Sequence, residues 1–333
     1  IFEMAPALIE TPVGVPDRTV DREVDNAYQK DKQQSAQYKE AFAQGAKSTK
    51  YEIELHGDGK HAPAAYPHYL PYWDDTKLPP YEPFEAVEPG LNADPTFPNL
   101  LASATVKDLT ANIGAEVDGV QISKLNNAGK DELARFVAEK KVVAFRNQDF
   151  ADLPIQQALD IAEYFGPSHI HPASGAPKGF PKVHLVHRSA SDTTARDYFE
   201  ERTNSITWHS DAQAALARGS IVRRDPVSNV HPIVRTHPVT GEKALFVNPQ
   251  FTRRIVGFKK EESDFLLKFL YDHIAFSADM QARLKWEKGT VIVWDNRVTA
   301  HTALLDWEDG QRRHLARLTP RAERPFETPF ESN

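Results

Sequence analysis

A chain of 333 residues, 40% of them apolar, is long enough to bury one large hydrophobic core or two modest ones. Its 47 acidic and 40 basic residues make it mildly acidic, and no basic run favours nucleic acid or an anionic membrane. The absence of cysteine excludes disulfides and thiolate ligands, so a metal site must use His, Asp and Glu. Because the sequence has neither an apolar stretch of membrane length nor a secretory leader, we expect a cytoplasmic protein. Whether it forms a homo-oligomer stays open.

The first 100 residues differ from the rest in amino-acid composition and in hydrophobic pattern. They are rich in Pro, Asp, Lys, Gln and Tyr, show little periodicity, and include the stretch Tyr-Pro-His-Tyr-Leu-Pro-Tyr-Trp-Asp that begins at Tyr66. We predict that residues 1–100 form an extended arm packed on a body, with the Tyr and Trp side chains as docking anchors. The body is predicted to span residues 101–325, and a tail follows at residues 326–333.

From residue 101 the sequence shows strand and helix patterns. Residues 114–122 alternate as a half-buried strand does, and residues 130–140 form a helix with a buried face. Residues 141–146 are a short apolar run of strand type. Asp152 can cap the next helix and Pro154 can begin it. The predicted inward faces of the two helices are Leu133, Phe136 and Val137, and then Ile155, Ala158, Ile161, Ala162 and Phe165.

The second half of the body adds four predicted strands and one helix. The strands are predicted at residues 233–236, 244–248, 290–294 and 314–319, and a long amphipathic helix at residues 260–274. Its predicted inward side chains are Phe265, Leu266, Phe269, Leu270 and Ile274. Many short strands with a few covering helices indicate a mostly β fold with flanking helices, a sandwich or a jelly roll.

Two His-x-Asp pairs could begin a metal site. Iron that binds a bidentate co-substrate and dioxygen needs three protein ligands on one face, which two His and one carboxylate supply. At His209 and Asp211 the spacing in a strand points both side chains to one face. The second pair, His56 and Asp58, lies in a glycine-flanked turn of the arm, and we assign no metal to it.

The downstream sequence favours the pair at His209 and Asp211. The strand predicted at residues 290–294 is followed by polar residues and can place His301 beside His209 and Asp211. Arg313 could return on the neighbouring strand, where its planar guanidinium can bind the distal carboxylate of 2-oxoglutarate. Arg317 points to the same face as Arg313, which implies a second anion, the substrate. That both arginines are surface charges stays open at this point.

Three segments together resemble the taurine dioxygenase family. They are Trp-His-Ser-Asp at residues 208–211, Val-Arg-Thr-His-Pro-Val-Thr-Gly-Glu-Lys-Ala-Leu-Phe-Val-Asn at 234–248, and Trp-Asp-Asn-Arg-Val-Thr-Ala-His at 294–301. The resemblance covers about residues 100–325, and the arm looks like the fungal sulfonate dioxygenase branch. It implies a double-stranded β-helix, the jelly roll of the clavaminate synthase-like type. It also implies an oxidoreductase that couples decarboxylation of 2-oxoglutarate with iron(II) and O2 to hydroxylation of a small organic anion, which then releases sulfite or sulfate and an aldehyde.

The resemblance assigns roles position by position. His209, Asp211 and His301 match the iron ligands, Arg313 matches the residue that binds the far carboxylate of 2-oxoglutarate, and Arg317 matches the sulfonate-binding residue.

His171 matches a second residue that contacts the sulfonate. The alternative is that His171 has a structural role in a capped loop. Ser174 and Ser205 stand where taurine dioxygenases contact the amine of taurine, so we expect another sulfonate or a sulfate ester. Trp208 is expected to form a packing wall. The histidines interpreted as structural or surface residues are His184, His187, His231 and His237.

One stretch of the family pattern is missing. After Asp211 the family continues with a strand, a Gly-Gly-Asp-Thr turn and a helical stretch, whereas here Gln213 is followed at once by Ala-Ala-Leu-Ala-Arg-Gly. A jelly roll without these residues would be incomplete. We therefore expect the natural protein to carry them.

Two alternative functions remain. The same iron chemistry could act on a carboxylate or a purine, because an arginine that binds sulfonate also binds carboxylate. From another class, the ligands could hold zinc or manganese in a non-oxidative jelly-roll protein or an inactive binding module. Arg313 discriminates, since neither needs a fixed guanidinium near the metal.

Overall fold

The structure, a computed structural model, describes residues 49–73, 76–172, 174–191, 223–224, 228–249, 251–302, 304 and 311–329. The helices in these ranges are α1 (Thr49–His56), α2 (Asn127–Lys140), α3 (Ile155–Glu163) and α4 (Lys260–Phe276). The strands are β1 (Thr105–Asp108), β2 (Ala115–Asp118), β3 (Val142–Phe145), β4 (Val183–Arg188), β5 (Val234–Thr236), β6 (Lys243–Leu245), β7 (Val291–Trp294) and β8 (Arg313–Leu318). Within this part of the chain no helix is long and apolar enough to cross a membrane.

A four-stranded sheet in the order β1-β2-β3-β7 lies at the centre. β1 pairs with β2 and β3 with β7 in antiparallel fashion, while β2 and β3 are parallel because α2 crosses over between them. Val117 and Phe145 are fully buried in this sheet. The strands predicted at residues 114–122, 141–146 and 290–294 are therefore confirmed, with shorter bounds.

Helix α2 covers this sheet with the face that the sequence predicts. Leu133, Phe136 and Val137 are all buried in the same cluster as the sheet residues. The helix begins where the side chain of Asn126 accepts a hydrogen bond from the backbone N–H of Gly129. Burying each large apolar side chain contributes roughly 1.5–3 kcal/mol, so this face fixes α2 on the sheet.

A second layer is the antiparallel pair β4 and β8, with six residues in each strand. One face of the pair packs on α3, where Val183 and Leu185 contact Leu159. The opposite face of the pair carries His184 and Arg188 of β4 and the residues of β8 that pair with them, Arg317 and Arg313. β8 agrees with the prediction at residues 314–319, whereas β4 and β1 were not predicted.

The predicted docking anchors of the arm behave differently from one another. Tyr69 is 7% exposed and packs beside α3 and β4, and its carbonyl oxygen lies 2.9 Å from the ring Nε2 of His314. Tyr72 is 51% exposed, so the anchor prediction is wrong for this residue, whereas the indole of Trp73, 43% exposed, lies against Gly175. The chain at Tyr72 is held by backbone pairing with Ala176 instead, which leaves the ring outside.

Helix α3 begins near the predicted position, but its predicted cap is wrong. Pro154 itself occupies the N-cap position, and no side chain caps the helix. Asp152 lies in the preceding 3-10 turn, Phe150–Asp152, and hydrogen-bonds the hydroxyl of Tyr66. The predicted apolar face is buried except for Phe165, which is partly buried; its buried members are Ile155, Ala158, Ile161 and Ala162.

The predicted inward face of α4 is wrong for Phe265 and Phe269, which are 78% and 60% exposed. The buried face is centred on Ser263 and Leu267. Ser263 is held inward because its hydroxyl accepts the backbone N–H of Ile255. At 100° per residue, the two Phe positions lie about 200° around the helix from that face.

Candidate functional site

Arg313 and Arg317 lie on β8, four residues apart and therefore on the same face of the strand. The register places Arg188 of β4 opposite Arg313, and His184 opposite Arg317. Directly opposed residues of an antiparallel pair also share a face. Since the other face packs on α3, these four basic side chains emerge on the side away from that core.

The residues on either side of Arg313 contact residues of the 54–69 segment. Arg312 donates to the carboxylate of Glu54 at 2.6 Å and to the carbonyl of Ala62, while His314 contacts the backbone carbonyl of Tyr69. Burial raises the pKa of Glu54, but its hydrogen bonds from Arg312 and neighbouring groups hold that pKa below the ordinary value. The three consecutive basic residues therefore do not form one surface cluster.

Trp294, the last residue of β7, connects the predicted metal ligand to the predicted substrate arginine. Its ring centroid lies 5.7 Å from that of His301. The guanidinium carbon of Arg317 lies 5.3 Å from the same indole ring, a cation-π contact. Sequence reasoning missed Trp294 as a site residue, although its place at the end of the strand that leads to His301 was available as a signal.

Three histidines gather beside Arg317. The rings of His171 and His184 are 4.2 Å apart between centroids and inclined by 31°, and His169 lies 6.4 Å from His171. We call His169, His171, His184 and Arg317 the basic cluster. The sequence assigned a site role to His171 and interpreted His184 as structural or surface, but the strand register brings His184 to the same cluster.

The ring of His171 is held in one tautomer. The backbone N–H of Ser174 donates to its Nδ1 at 2.9 Å, so in this geometry the neutral ring carries its proton on Nε2. Arg223 donates to the carbonyl oxygens of His171 and Ser174, which fixes the turn between them. The hydroxyl of Ser174 donates to the carbonyl of Leu185. Ser174 therefore supports the turn, and His171 offers an Nε2–H donor.

The basic cluster is electrostatically crowded. Burial, together with the positive charges of Arg224, Arg321 and Arg317, lowers the pKa of His169 to about 3. Burial and the neighbouring His171 and Arg317 likewise hold the pKa of His184 well below its ordinary value. Both histidines are therefore neutral at pH 7. An anion placed among these groups would meet the positive charge of Arg317 and would oppose the charge effects that, after burial, lower these pKa values.

Behind β7 lies a second group of charges. Asp295 is completely buried, and its carboxylate contacts the ring Nε2 of His237 at 2.8 Å and the guanidinium of Arg297 at 2.7 Å. Arg297 also donates to Glu88 at 2.9 Å and to Glu323 at 3.0 Å. We call this group the buried ion network. Its members are Glu88, Arg235, His237, Asp295, Arg297 and Glu323.

The buried ion network anchors the turn that leads to His301. The backbone N–H of Arg297 and the hydroxyl of Thr299 both donate to Asp295, to its carboxylate and its carbonyl respectively. Burial raises the pKa of Asp295, but Arg297 and His237 outweigh this and hold it far below its ordinary value, so the carboxylate stays ionised. The position of His301 therefore depends on a charged anchor six residues earlier.

Several predicted site residues lie outside the described residues: His209, Asp211, Ser205 and Trp208. Among the residues that are described, no group of three or more His, Asp or Glu side chains is placed to hold a metal ion. At the second His-x-Asp pair, Asp58 accepts from the backbone N–H groups of Lys60 and His61, while His56 contacts Glu52. The side chains of that pair serve the turn and α1.

Arg313 and Arg317 thus share one strand face, and the indole ring of Trp294 lies between Arg317 and His301. The sequence profile of the taurine catabolism dioxygenase TauD, TfdA family matches residues 105–222 and 214–319. A Saccharomyces cerevisiae protein named alpha-ketoglutarate-dependent sulfonate dioxygenase is 37% identical over 325 residues, 79% of each chain. A Penicillium expansum protein named alpha-ketoglutarate-dependent dioxygenase cnsM is also 37% identical, over 80% of this chain and 92% of its own. The chain therefore belongs to the TauD, TfdA family of dioxygenases.

Among solved structures, one similar chain is a putative alpha-ketoglutarate-dependent taurine dioxygenase from Burkholderia xenovorans. It is 26% identical, covers 68% of this chain and 92% of its own, and has a TM-score of 0.49. The two segments of the family match meet at residues 214–222, next to Gln213. The residues around Gln213 lie outside the described part of the chain. That the natural protein carries further residues at this point therefore stays a prediction.

Proposed function

We propose that this enzyme is an iron(II)- and 2-oxoglutarate-dependent dioxygenase that hydroxylates an alkylsulfonate or a sulfate ester. One oxygen atom of O2 enters the substrate and the other enters succinate, while 2-oxoglutarate loses CO2. In a sulfonate, hydroxylation of the carbon bonded to sulfur gives a product that breaks into an aldehyde and sulfite. In a sulfate ester, hydroxylation of the carbon bonded to the ester oxygen gives a product that breaks into an aldehyde and sulfate. The observation that carries the proposal is the line of contacts from Arg317 through Trp294 to His301.

Iron would be held by His209, Asp211 and His301. Two imidazoles and one carboxylate are the donor set that leaves open positions for a co-substrate and O2, and a chain without cysteine has these donors available. When bound, the metal supplies the activation of O2 that couples the two oxidations. The buried ion network would keep His301 in place for this role, because Asp295 anchors the turn before it.

Arg313 would bind the distal carboxylate of 2-oxoglutarate. A planar guanidinium offers two parallel N–H donors to a carboxylate, and a strand holds the side chain in a fixed direction. The same face of β8 carries Arg317 four residues on, about 13 Å along an extended strand. Two separate anions can therefore be bound at the two arginines.

The sulfur end of the substrate would be bound by Arg317 and His171. Arg317 supplies a charged donor, and the Nε2–H of His171 is a second donor whose tautomer is fixed by the N–H of Ser174. The indole of Trp294 beside Arg317 excludes water from one side, which strengthens the ion pair. This end of the site would hold the substrate with its neighbouring carbon toward the metal.

For the whole chain we propose a double-stranded β-helix formed by residues 101–325, with residues 1–100 as an arm and residues 326–333 as a tail. The two faces of the β4 and β8 pair, one on the core and one toward the site, support this fold. Contacts of Glu54 with Arg312 and of Glu88 with Arg297 support an arm that packs on the body. We further propose a cytoplasmic location.

The test is turnover with a series of alkanesulfonates and alkyl sulfates. The complete enzyme is supplied with iron(II), 2-oxoglutarate and O2, and succinate is measured together with sulfite or sulfate. We expect succinate and the inorganic sulfur anion to appear in equal amounts, and only with a matching substrate. Succinate that rises with carboxylates but with no sulfonate or sulfate ester would contradict the proposal and favour the carboxylate alternative.

A further inference from the structure

His184 lies in the middle of β4, and its position on the strand is informative. Its neighbours Val183 and Leu185 point to the core and are buried against α3. His184 points to the opposite face and stands directly across from Arg317. Opposed side chains of an antiparallel pair have their Cβ atoms about 5 Å apart. The residue therefore lies on the strand face that also carries Arg317 and not in the α3 packing.

The ring of His184 lies against His171, with 4.2 Å between centroids and an inclination of 31°. A ring contact this close fixes the two imidazoles relative to each other. Burial, with the nearby His171 and Arg317, holds the pKa of His184 well below its ordinary value, so the ring is neutral. A neutral imidazole always carries one N–H donor. It can offer this donor to an anion without adding charge repulsion to Arg317.

Three residues that can donate hydrogen bonds thus come from three parts of the fold. Arg317 comes from β8, His171 from the turn after α3, and His184 from β4. A sulfonate or sulfate group has three terminal oxygens arranged as a tripod. A carboxylate has two oxygens in one plane, so it cannot direct a separate oxygen toward each of three donors that lie in three directions. An unsatisfied buried donor weakens binding about tenfold or more.

We infer that His184 determines specificity at the substrate site, donating an N–H to the oxyanion bound by Arg317 and His171 so that a three-oxygen sulfur anion binds in preference to a carboxylate. This inference rests on the proposed function, because it names a residue of that same site. It assigns a binding role to a histidine that the sequence alone leaves among the structural ones.

The test uses two probes of equal chain length, butanesulfonate and pentanoate. Their dissociation constants are measured by anaerobic calorimetry on the enzyme loaded with iron(II) and 2-oxoglutarate. His184→Phe keeps a ring against His171 but removes the donor, whereas His184→Gln keeps a donor and removes the ring. His273→Leu, on the exposed side of α4, is the control for loss of a histidine elsewhere. If His184→Phe does not fold, His184→Leu replaces it.

We expect His184→Phe to weaken butanesulfonate binding about tenfold or more, while pentanoate changes less than about threefold and 2-oxoglutarate binding is retained. His184→Gln should restore most of the sulfonate affinity. Equal losses for both probes, or an unchanged preference in His184→Phe, would overturn the inference and leave the proposed function standing. A wild-type enzyme that binds no sulfonate or sulfate ester would overturn both.

Discussion

Two regions of this molecule concentrate charge, and they do so in opposite ways. In the buried ion network, three carboxylates meet two arginines and a histidine, and each acid has a basic partner within hydrogen-bond distance. In the basic cluster, burial and then the neighbouring basic groups depress the pKa values of His169 and His184. The first arrangement stabilises a turn of the fold, because its charges compensate one another. The second places neutral imidazoles beside the cation of Arg317, which is an arrangement suited to binding an anion.

The largest effect is expected at the centre of the buried ion network. Arg297→Met removes the cation that Asp295, Glu88 and Glu323 share, and leaves buried carboxylates uncompensated. The free energy of unfolding should fall by about 3–5 kcal/mol in urea denaturation. The exposed Arg254→Met is the control and should change it by less than about 0.5 kcal/mol. A loss as small as in the control would mean that the network does not anchor the fold.

In the basic cluster the same type of substitution should affect binding instead of folding. Arg317→Met should raise the KM for a sulfonate about 10- to 100-fold, because a charge-assisted contact is lost. The free energy of unfolding should change by less than about 1 kcal/mol. The affinity for 2-oxoglutarate should be retained in Arg317→Met and lost in Arg313→Met. If Arg317→Met loses 2-oxoglutarate binding instead, the roles of the two arginines are reversed.

A pH titration separates the two regions further. Burial raises the pKa of Glu88 from 4.5 to about 7, so between these values the folded protein binds more protons than the unfolded chain. The contribution of Glu88 to stability therefore falls as pH rises through this window, by up to about 1.4 kcal/mol per pH unit. Glu88→Gln should remove this slope in denaturation measured from pH 5 to 8. An identical slope in the variant would show that Glu88 is already ionised throughout.

The basic cluster should show the opposite slope. His169 has its pKa lowered from 6.5 to about 3 by burial and nearby arginines, so the unfolded chain binds more protons between these values. Stability from this group is present above pH 6.5 and is lost as pH falls toward 3. His169→Gln should lose less stability than the wild type between pH 7 and 5. A larger loss in the variant would mean that His169 is protonated in the folded protein.

The sequence predicts well those elements whose burial follows a period. Residues of α2 and α3 repeat at helical spacing and pack as expected, and β7 and β8 are apolar enough to be recognised. β4 was missed because His184 and Arg188 on its site face interrupt an apolar run. The face of α4 was wrong because a hydrogen bond to Ser263, which hydrophobicity does not register, selects the buried side.

For the site, local motifs identify residue types but not distant partners. The spacing of Arg313 and Arg317 was enough to predict that both side chains lie on one face of a strand. The contact of Glu88 with Arg297 joins residues far apart in the chain. A charged residue that is considered without its partner is expected at the surface, so this buried pair was not predicted. His184 belongs to the basic cluster only through the register of β4 with β8, which no local pattern specifies.

We propose that the basic face beside His301 serves an iron(II) and 2-oxoglutarate site that binds a sulfur oxyanion. The most direct measurement is anaerobic titration of the iron-loaded enzyme with 2-oxoglutarate, followed through the weak visible charge-transfer band of the chelate, and then with sulfonates. We expect a band that appears with 2-oxoglutarate and shifts when a matching sulfonate is added. A folded, complete chain that gives no band would contradict it and would point to a non-oxidative metal-binding protein.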